Sequence, residues 1–279
     1  MTMQIIETEI FSAFDFNLSS LEILDADWRS ELGLTAIWQK REQFEILVGS
    51  EGLFTLSVPF HVEYPIIRWI DKRRILVASP RNETEEDNVF ILDIAGGLLG
   101  SFNAGDGIMD ILITKEGAWF SYFDEGIFGE GISTNGLVLF SFTGEPLFKY
   151  HSDLKNQPFL TSCDAICEGE GSSVWIFPIL LPDVEPSLLH LDFKKNLVNS
   201  FSAPELFAES TALSVRGKGA YFHSQFDPKN KLYYWELGME EPQVAGQMKG
   251  ILRGLKVNEA YDFIAITEVS IKLIRTIQE

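Results

Sequence analysis

The chain repeats itself, and the repeat constrains its architecture more than any other feature. Three eleven-residue segments align without a gap: LDIAGGLLGSF (92–102), FSFTGEPLFKY (140–150) and LDFKKNLVNSF (191–201). Each begins apolar–polar–apolar, turns through a polar or glycine pair, and returns to end on Phe102, Tyr150 or Phe201. Alternation at period two, broken by turn residues, marks a β-hairpin, because successive strand side chains point to opposite faces. The copies lie 48 and 51 residues apart, with weaker copies at Trp235-Glu236-Leu237 and Phe54-Thr55-Leu56.

A second hairpin precedes each copy. IMDILITKEGAWFSYFDEG (108–126), SCDAICEGEGSSVWIFPILLPD (162–183) and STALSVRGKGAYFHSQFDP (210–228) each run an apolar strand into a glycine turn, then an aromatic-rich strand through Trp119, Trp175 or Tyr221. Residues 34–50, 66–80 and 251–267 share the outline. Four short antiparallel strands every 40–50 residues is the unit of a β-propeller blade. Anchors near Ala36, Arg68, Asp110, Asp164, Ala212 and Leu252 count six units. The last unit is one strand short, while Gln4–Phe11 is an alternating strand without a neighbour in sequence. Pairing the two removes an open sheet edge. The expected fold is therefore all-β: one β-propeller domain over residues 1–279, with six four-stranded blades closed by the N-terminal strand. Five or seven blades are the alternatives. Residues 18–29 and 204–210 are predicted to form at most one or two helical turns.

The run DGIMDILITKEGAWFSYFDEGIFGEG (106–131), followed by NGLVLFSFTGEPLFKY (135–150), resembles a segment that recurs in uncharacterised bacterial β-propeller proteins. It is loosely similar to the six-bladed group that includes gluconolactonase-like and NHL-type propellers. The close likeness covers residues 106–195; the flanks share only the period. The resemblance implies the fold and transfers no catalytic residue.

Charge narrows the function classes. With 41 carboxylates and 22 basic side chains, the net charge is −19. Nucleic acid and anionic membrane surfaces are poor partners, because both are held by clustered Lys and Arg. At 46% hydrophobic, the chain has ample material for a core and is not a disordered polymer. The start, MTMQIIETEIFSAFDF, has acids where a secretory signal needs a basic start and an apolar run. Cys163 and Cys167, four residues apart on one strand, would have Cα atoms roughly 13 Å apart. That is too far for a disulfide. Reduced cysteines in a cytoplasmic monomer are the expectation.

The first residues of the inner strands line a propeller channel, and here they read Ala36, Arg68, Asp110, Asp164, Ala212 and then Leu252 or Arg253. Two readings follow. Asp110 and Asp164 with Arg68 and Arg253 form a polar pocket for a small molecule or divalent cation, since carboxylates are hard oxygen ligands. Otherwise acids and arginines pair and hold the ring together. A second candidate group is Tyr122, Asp124 and Glu125 after the aromatic strand, in a loop predicted flexible from Gly126, Gly129, Gly131 and Gly136. His223, Gln225 and Asp227 are expected on the same rim. Adjacent acids on a strand face opposite ways, so Asp124 and Glu125 make a poor catalytic couple.

His61, His151, His190 and His223 have no metal-ligand spacing. No G-x-S-x-G elbow is present. The six tryptophans recur near blade intervals and are expected to pack between blades. Residues 81–87, with Glu83, Glu85, Glu86 and Asp87, read as a solvated acidic hairpin loop suited to a basic partner. The expected function is a scaffold binding a ligand or basic protein, without catalysis or cofactor. The alternative is a metal-assisted hydrolase like the lactonase propellers, which use a Glu, Asn and Asp set around a channel calcium. No evident Glu or Asn stands in this row, and arginine does.

Overall fold

The computed structural model describes residues 3–13, 22–40, 43–49, 52–55 and 64–278. Residues 18–21 of the first predicted turn, and His61, lie outside them. Strand β1 (Met3–Ser12) precedes blade one, which is β2 (Glu22–Arg29), β3 (Gly33–Lys40), β4 (Gln43–Val48) and β5 (Gly52–Thr55). Blade two is β6 (Ile66–Asp71), β7 (Arg74–Ala78), β8 (Val89–Asp93) and β9 (Leu98–Phe102). Blade three is β10 (Ile108–Ile113), β11 (Ala118–Tyr122), β12 (Leu137–Phe140) and β13 (Pro146–Lys149). Blade four is β14 (Leu160–Glu168), β15 (Ser173–Leu180), β16 (Ser187–Asp192) and β17 (Leu197–Ser202). Blade five is β18 (Ala212–Arg216), β19 (Gly219–His223), β20 (Lys231–Glu236) and β21 (Gln243–Gln247). Blade six joins β22 (Ile251–Gly254), β23 (Phe263–Ile266) and β24 (Ser270–Gln278) to β1.

All six sheets are antiparallel meanders, so the expected six-bladed propeller and its closure by the first strand are both observed. The β1–β24 register runs from Met3↔Gln278 to Ser12↔Ser270. Phe11 at the end of β1 stacks on Trp38 of blade one, ring centroids 5.8 Å apart, so the closing strand also ties two blades together.

One expectation moves. Residues 22–29 are not helical; they form β2, the inner strand of blade one. Ala36 therefore sits on the second strand, β3, away from the channel row where the sequence put it. Residues 204–210 do contain a single helical turn, Glu205–Phe207.

Between blades the core is aromatic. Phe177 of blade four meets Phe222 of blade five at 5.0 Å, and Phe222 stacks on Phe207 at 4.1 Å. Trp38, Trp69, Trp119 and Trp235 are buried as predicted, while Trp28 and Trp175 are half-buried. Each fully buried large apolar side chain contributes about 1.5–3 kcal/mol. Two glycines are demanded by space. At Gly117, with φ 154°, a Cβ would lie 2.0 Å from the Phe140 carbonyl oxygen; at Gly254 it would lie 2.1 Å from that of Leu213. The second shows how closely inner strands approach at the axis.

Cys163 and Cys167 share β14, and both are free and buried. The same strand bulges: its register with β15 slips between Ser162 and Ala165, opposite Pro178, which has no N–H to complete the ladder.

Candidate functional site

Strands β2, β6, β10, β14, β18 and β22 run side by side around the axis. One guanidinium stitches three of them. Arg68, only 5% exposed, pairs through Nη1 with Asp25 of β2 and through Nη2 with Asp110 of β10. Its Nε donates to the Ile111 carbonyl at 2.7 Å. Asp25 also accepts the Ile67 N–H at 2.8 Å.

Arg253 of β22 adds a fourth strand. Its Nη1 is 3.2 Å from Asp25, and its Nη2 is 3.0 Å from Asp27 and 2.5 Å from the Ala26 carbonyl. The other Asp27 oxygen accepts the Trp69 N–H at 2.9 Å. Burial alone would raise the Asp27 pKa, but Arg253, Arg29 and Arg68 outweigh it and hold the carboxyl below the usual range. Burial likewise opposes the charge on Arg68, and Asp25 and Asp110 overcome it, raising its pKa. Asp27 and Arg68 therefore stay ionised, and the network links blades six, one, two and three. The void it leaves is about 20 Å³, room for little more than one water.

So Arg68, Asp110 and Arg253 do come together, but two partners that dominate the network, Asp25 and Asp27, were missed in sequence. A signal existed. Asp25 precedes Arg68 by 43 residues and Arg68 precedes Asp110 by 42, whereas Ala36 precedes Arg68 by only 32. The segment EILDADWR also carries its acids at period two.

Asp164 stands apart from this network. It lies in the β14 bulge, forms no ion pair among the described residues, and accepts a hydrogen bond from Ser162 Oγ. Burial raises its pKa, the Ser162 hydrogen bond opposes that rise, and the charge of Asp124 adds to it.

The rim group divides. Asp124 opens a helical turn, α1 (Asp124–Ile127), where a flexible loop was expected. Glu125 pairs with Arg81, which also reaches Asp106 at 3.2 Å and lies over the Phe123 ring at 5.6 Å. Tyr122 and His223 are corrections: both are fully buried and neither reaches the rim. The aromatic strands that carry them face the interblade core. Tyr122 donates its hydroxyl to the Ala104 carbonyl at 2.5 Å, and burial pushes its pKa well up. His223 Nε2 lies 3.2 Å from the Met248 carbonyl while Nδ1 has no partner, and burial lowers the ring's pKa.

The two ends of the propeller differ in charge. Call upper the face where inner strands begin, and lower the face where they turn into second strands. Among described loop residues, the upper face carries 15 carboxylates and 4 basic side chains, a balance of −11. The lower face carries 8 and 7, a balance of −1. Exposed large apolar side chains in loops follow the same division. Tyr64, Phe128, Phe159, Leu181, Val184, Leu206, Phe226 and Val269 are all upper; Met239 is lower.

Among the described residues, no group of three or more His, Cys, Asp or Glu is placed to hold a metal ion. Among the same residues, no helix is long and apolar enough to cross a membrane.

No family model and no curated protein sequence matches the chain. Among solved structures, it is similar to the virginiamycin B lyase of Staphylococcus aureus, at 11% identity and TM-score 0.58, over 98% of this chain and 99% of that one. It is also similar to the WD40 β-propeller domain of Doa1, at 12% identity and TM-score 0.53, over 92% and 79% of the two chains. A third likeness is to the β-propeller domain of Cps50 (Swd1) from Myceliophteria thermophila, at 11% identity and TM-score 0.50, over 96% and 99%. At such identities the likeness establishes the β-propeller fold and nothing finer.

Proposed function

We propose that the protein is a non-catalytic β-propeller scaffold that docks a basic protein partner on its upper face. The observation that carries this reading is the unequal charge of the two faces, −11 against −1 in their described loops. A concentrated negative field steers basic surfaces into contact and repels acidic ones. The screening length is about 8 Å at physiological salt, so the attraction acts mainly on the encounter. The exposed aromatics of the same face supply the apolar anchors that protein interfaces use.

The channel supports binding rather than chemistry. A calcium-assisted hydrolase would need Asp110 and Asp164 turned toward one ion, yet Asp110 is committed to Arg68. Arg68 and Arg253 in the same ring would also repel a divalent cation. A small organic ligand finds little space in a void of about 20 Å³. The same reading places the protein, as one domain and one monomer, in the cytoplasm. Free, buried Cys163 and Cys167 suit a reducing compartment.

The test is kinetic. A partner co-purified from native cells is mixed with the protein by stopped flow across a range of ionic strength. Association should slow as salt rises. It should also slow when Glu83→Gln, Glu85→Gln, Glu86→Gln and Asp87→Asn are combined, and not when Glu240→Gln and Glu241→Gln are combined on the lower face. A partner with an acidic surface, or an association rate indifferent to salt, would overturn the proposal.

A further inference from the structure

The upper face contains a groove whose walls are built before any partner arrives. One wall is the end of β15 with the loop from it to β16, where Pro178 in the strand and Pro182 and Pro186 in the loop fix φ and the Val184 N–H donates to the Leu181 carbonyl at 2.9 Å. The other wall is the helical turn Glu205–Phe207. Its last residue, Phe207, is fully buried and stacked on Phe222, so the turn is pinned to the core. Between the walls lies a cavity of about 340 Å³.

The lining combines two chemistries. Ile179, Leu181 and Val184 expose between 42% and 45% of their surface there. Asp183, Glu185 and Glu205 stand around them. Glu185 accepts a hydrogen bond from Ser202 Oγ at 3.1 Å, and no side-chain partner of Asp183 or Glu205 occurs among the described residues. An apolar trough edged by unneutralised carboxylates complements one kind of occupant: an apolar side chain flanked by cations. Because the walls are rigid, docking would cost little ordering entropy.

We infer that this groove is the specificity pocket of the upper face and takes a peptide segment of the partner in which a leucine-like residue is flanked by arginine or lysine. The inference rests on the acidic-face reading and adds to it where the partner's apolar anchor sits.

Two capped synthetic peptides of equal length and equal charge make the test. Each has arginines on both sides of a central pair, Leu-Leu in one and Ser-Ser in the other. Binding of labelled peptide is followed by fluorescence anisotropy at low and physiological salt. The Leu-Leu peptide should bind about tenfold more tightly or better, because its apolar surface leaves water. Combining Leu181→Ser with Val184→Ser, both at exposed positions, should abolish that preference and leave the Ser-Ser peptide's affinity unchanged. Combining Asp183→Asn with Glu205→Gln should weaken both peptides. Equal affinity for the two peptides, or a preference that survives Leu181→Ser with Val184→Ser, would overturn the groove while the acidic-face reading stands. If neither peptide binds even at low salt, both fall together.

Discussion

The same side chain, a carboxylate, does opposite things in the channel and on the upper face. In the channel Asp25, Asp27 and Asp110 are each engaged by arginine, and what they accomplish is to join blades. On the upper face Glu83, Glu85, Glu86, Glu130, Asp183 and Glu205 have no side-chain partner among the described residues. Backbone geometry explains the difference. Inner strands are packed against neighbours on both sides, so an acid there is either engaged by arginine or, like Asp164, carried at a cost. The upper connections either join the second and third strands of one blade or pass to the next blade, and among the hairpin loops they run to ten residues at 79–88 and fourteen at 123–136. Loops of that length run over the surface and tolerate charge.

The lower face shows the constrained case in loops. Its inner turns range from two residues at 72–73 and 217–218 to eight at 255–262, and three of its acids brace neighbouring strands and turns. Asp262 pairs with Arg216 at 2.6 Å, Glu259 accepts the Ser30 N–H at 3.2 Å, and Glu116 binds Lys194 at 2.8 Å and Ser172 at 2.7 Å. Carboxylates that brace a turn or pair with arginine are structural, Asp106 and Glu125 with Arg81 among them, while Glu83, Glu85 and Glu86 of the long 79–88 loop remain available.

The comparison breaks first at the junction of blades six and one, which β1 and Arg253 both cross. Deleting residues 1–12 should cost the most, on the order of 5 kcal/mol or more, because it opens a sheet edge and removes the Phe11–Trp38 stack. A truncated protein that melts within about a degree of the intact one would show that the arginine network alone closes the ring.

Next is the network itself. Arg68→Met should lower stability by about 3 kcal/mol in chemical denaturation, since half-buried Asp110 loses its charge partner and Asp25 keeps only Arg253. A loss under about 1 kcal/mol would place the channel acids with the surface ones. The same network has a pH signature. The folded pKa of Asp27 is held below its ordinary 3.8, so its stabilisation is complete above that value and is lost as pH falls through the lower folded pKa.

On the upper face, removing four charges should leave unfolding within about 0.5 kcal/mol of wild type. The association rate with a basic partner should nevertheless fall about three- to tenfold at low salt. A large stability change there would mean these acids are structural after all.

Asp164 sharpens the boundary, and its sign is inverted. Its pKa is raised in the fold, so the carboxylate is carried at a cost above the folded value, and the cost disappears as pH falls below the ordinary 3.8. Asp164→Asn should therefore stabilise at pH 7, on the order of 1 kcal/mol, with the gain vanishing in acid. A destabilised variant would mean that the Ser162 hydrogen bond needs the charge.

What the sequence determined on its own was the architecture. Period-two alternation, glycine turns and a repeat near 48 residues are local properties, and blade geometry follows from them because a β-hairpin is specified by its own strands and turn. The missing strand at one end and the spare strand at the other likewise announced closure before any contact was known. Part of the channel was legible too: Arg68, Asp110 and Arg253 were placed in one row from their positions in the repeat. Tertiary structure decided the rest, because side-chain partners come from different blades. Asp25 and Asp27 reach Arg253 across more than 220 residues, which no local pattern encodes. Burial of Tyr122 and His223 was decided by neighbouring blades covering both faces of β11 and β19, every residue of which is buried. The −11 of the upper face was present in the composition all along, but only the strand order showed that its loops share one side.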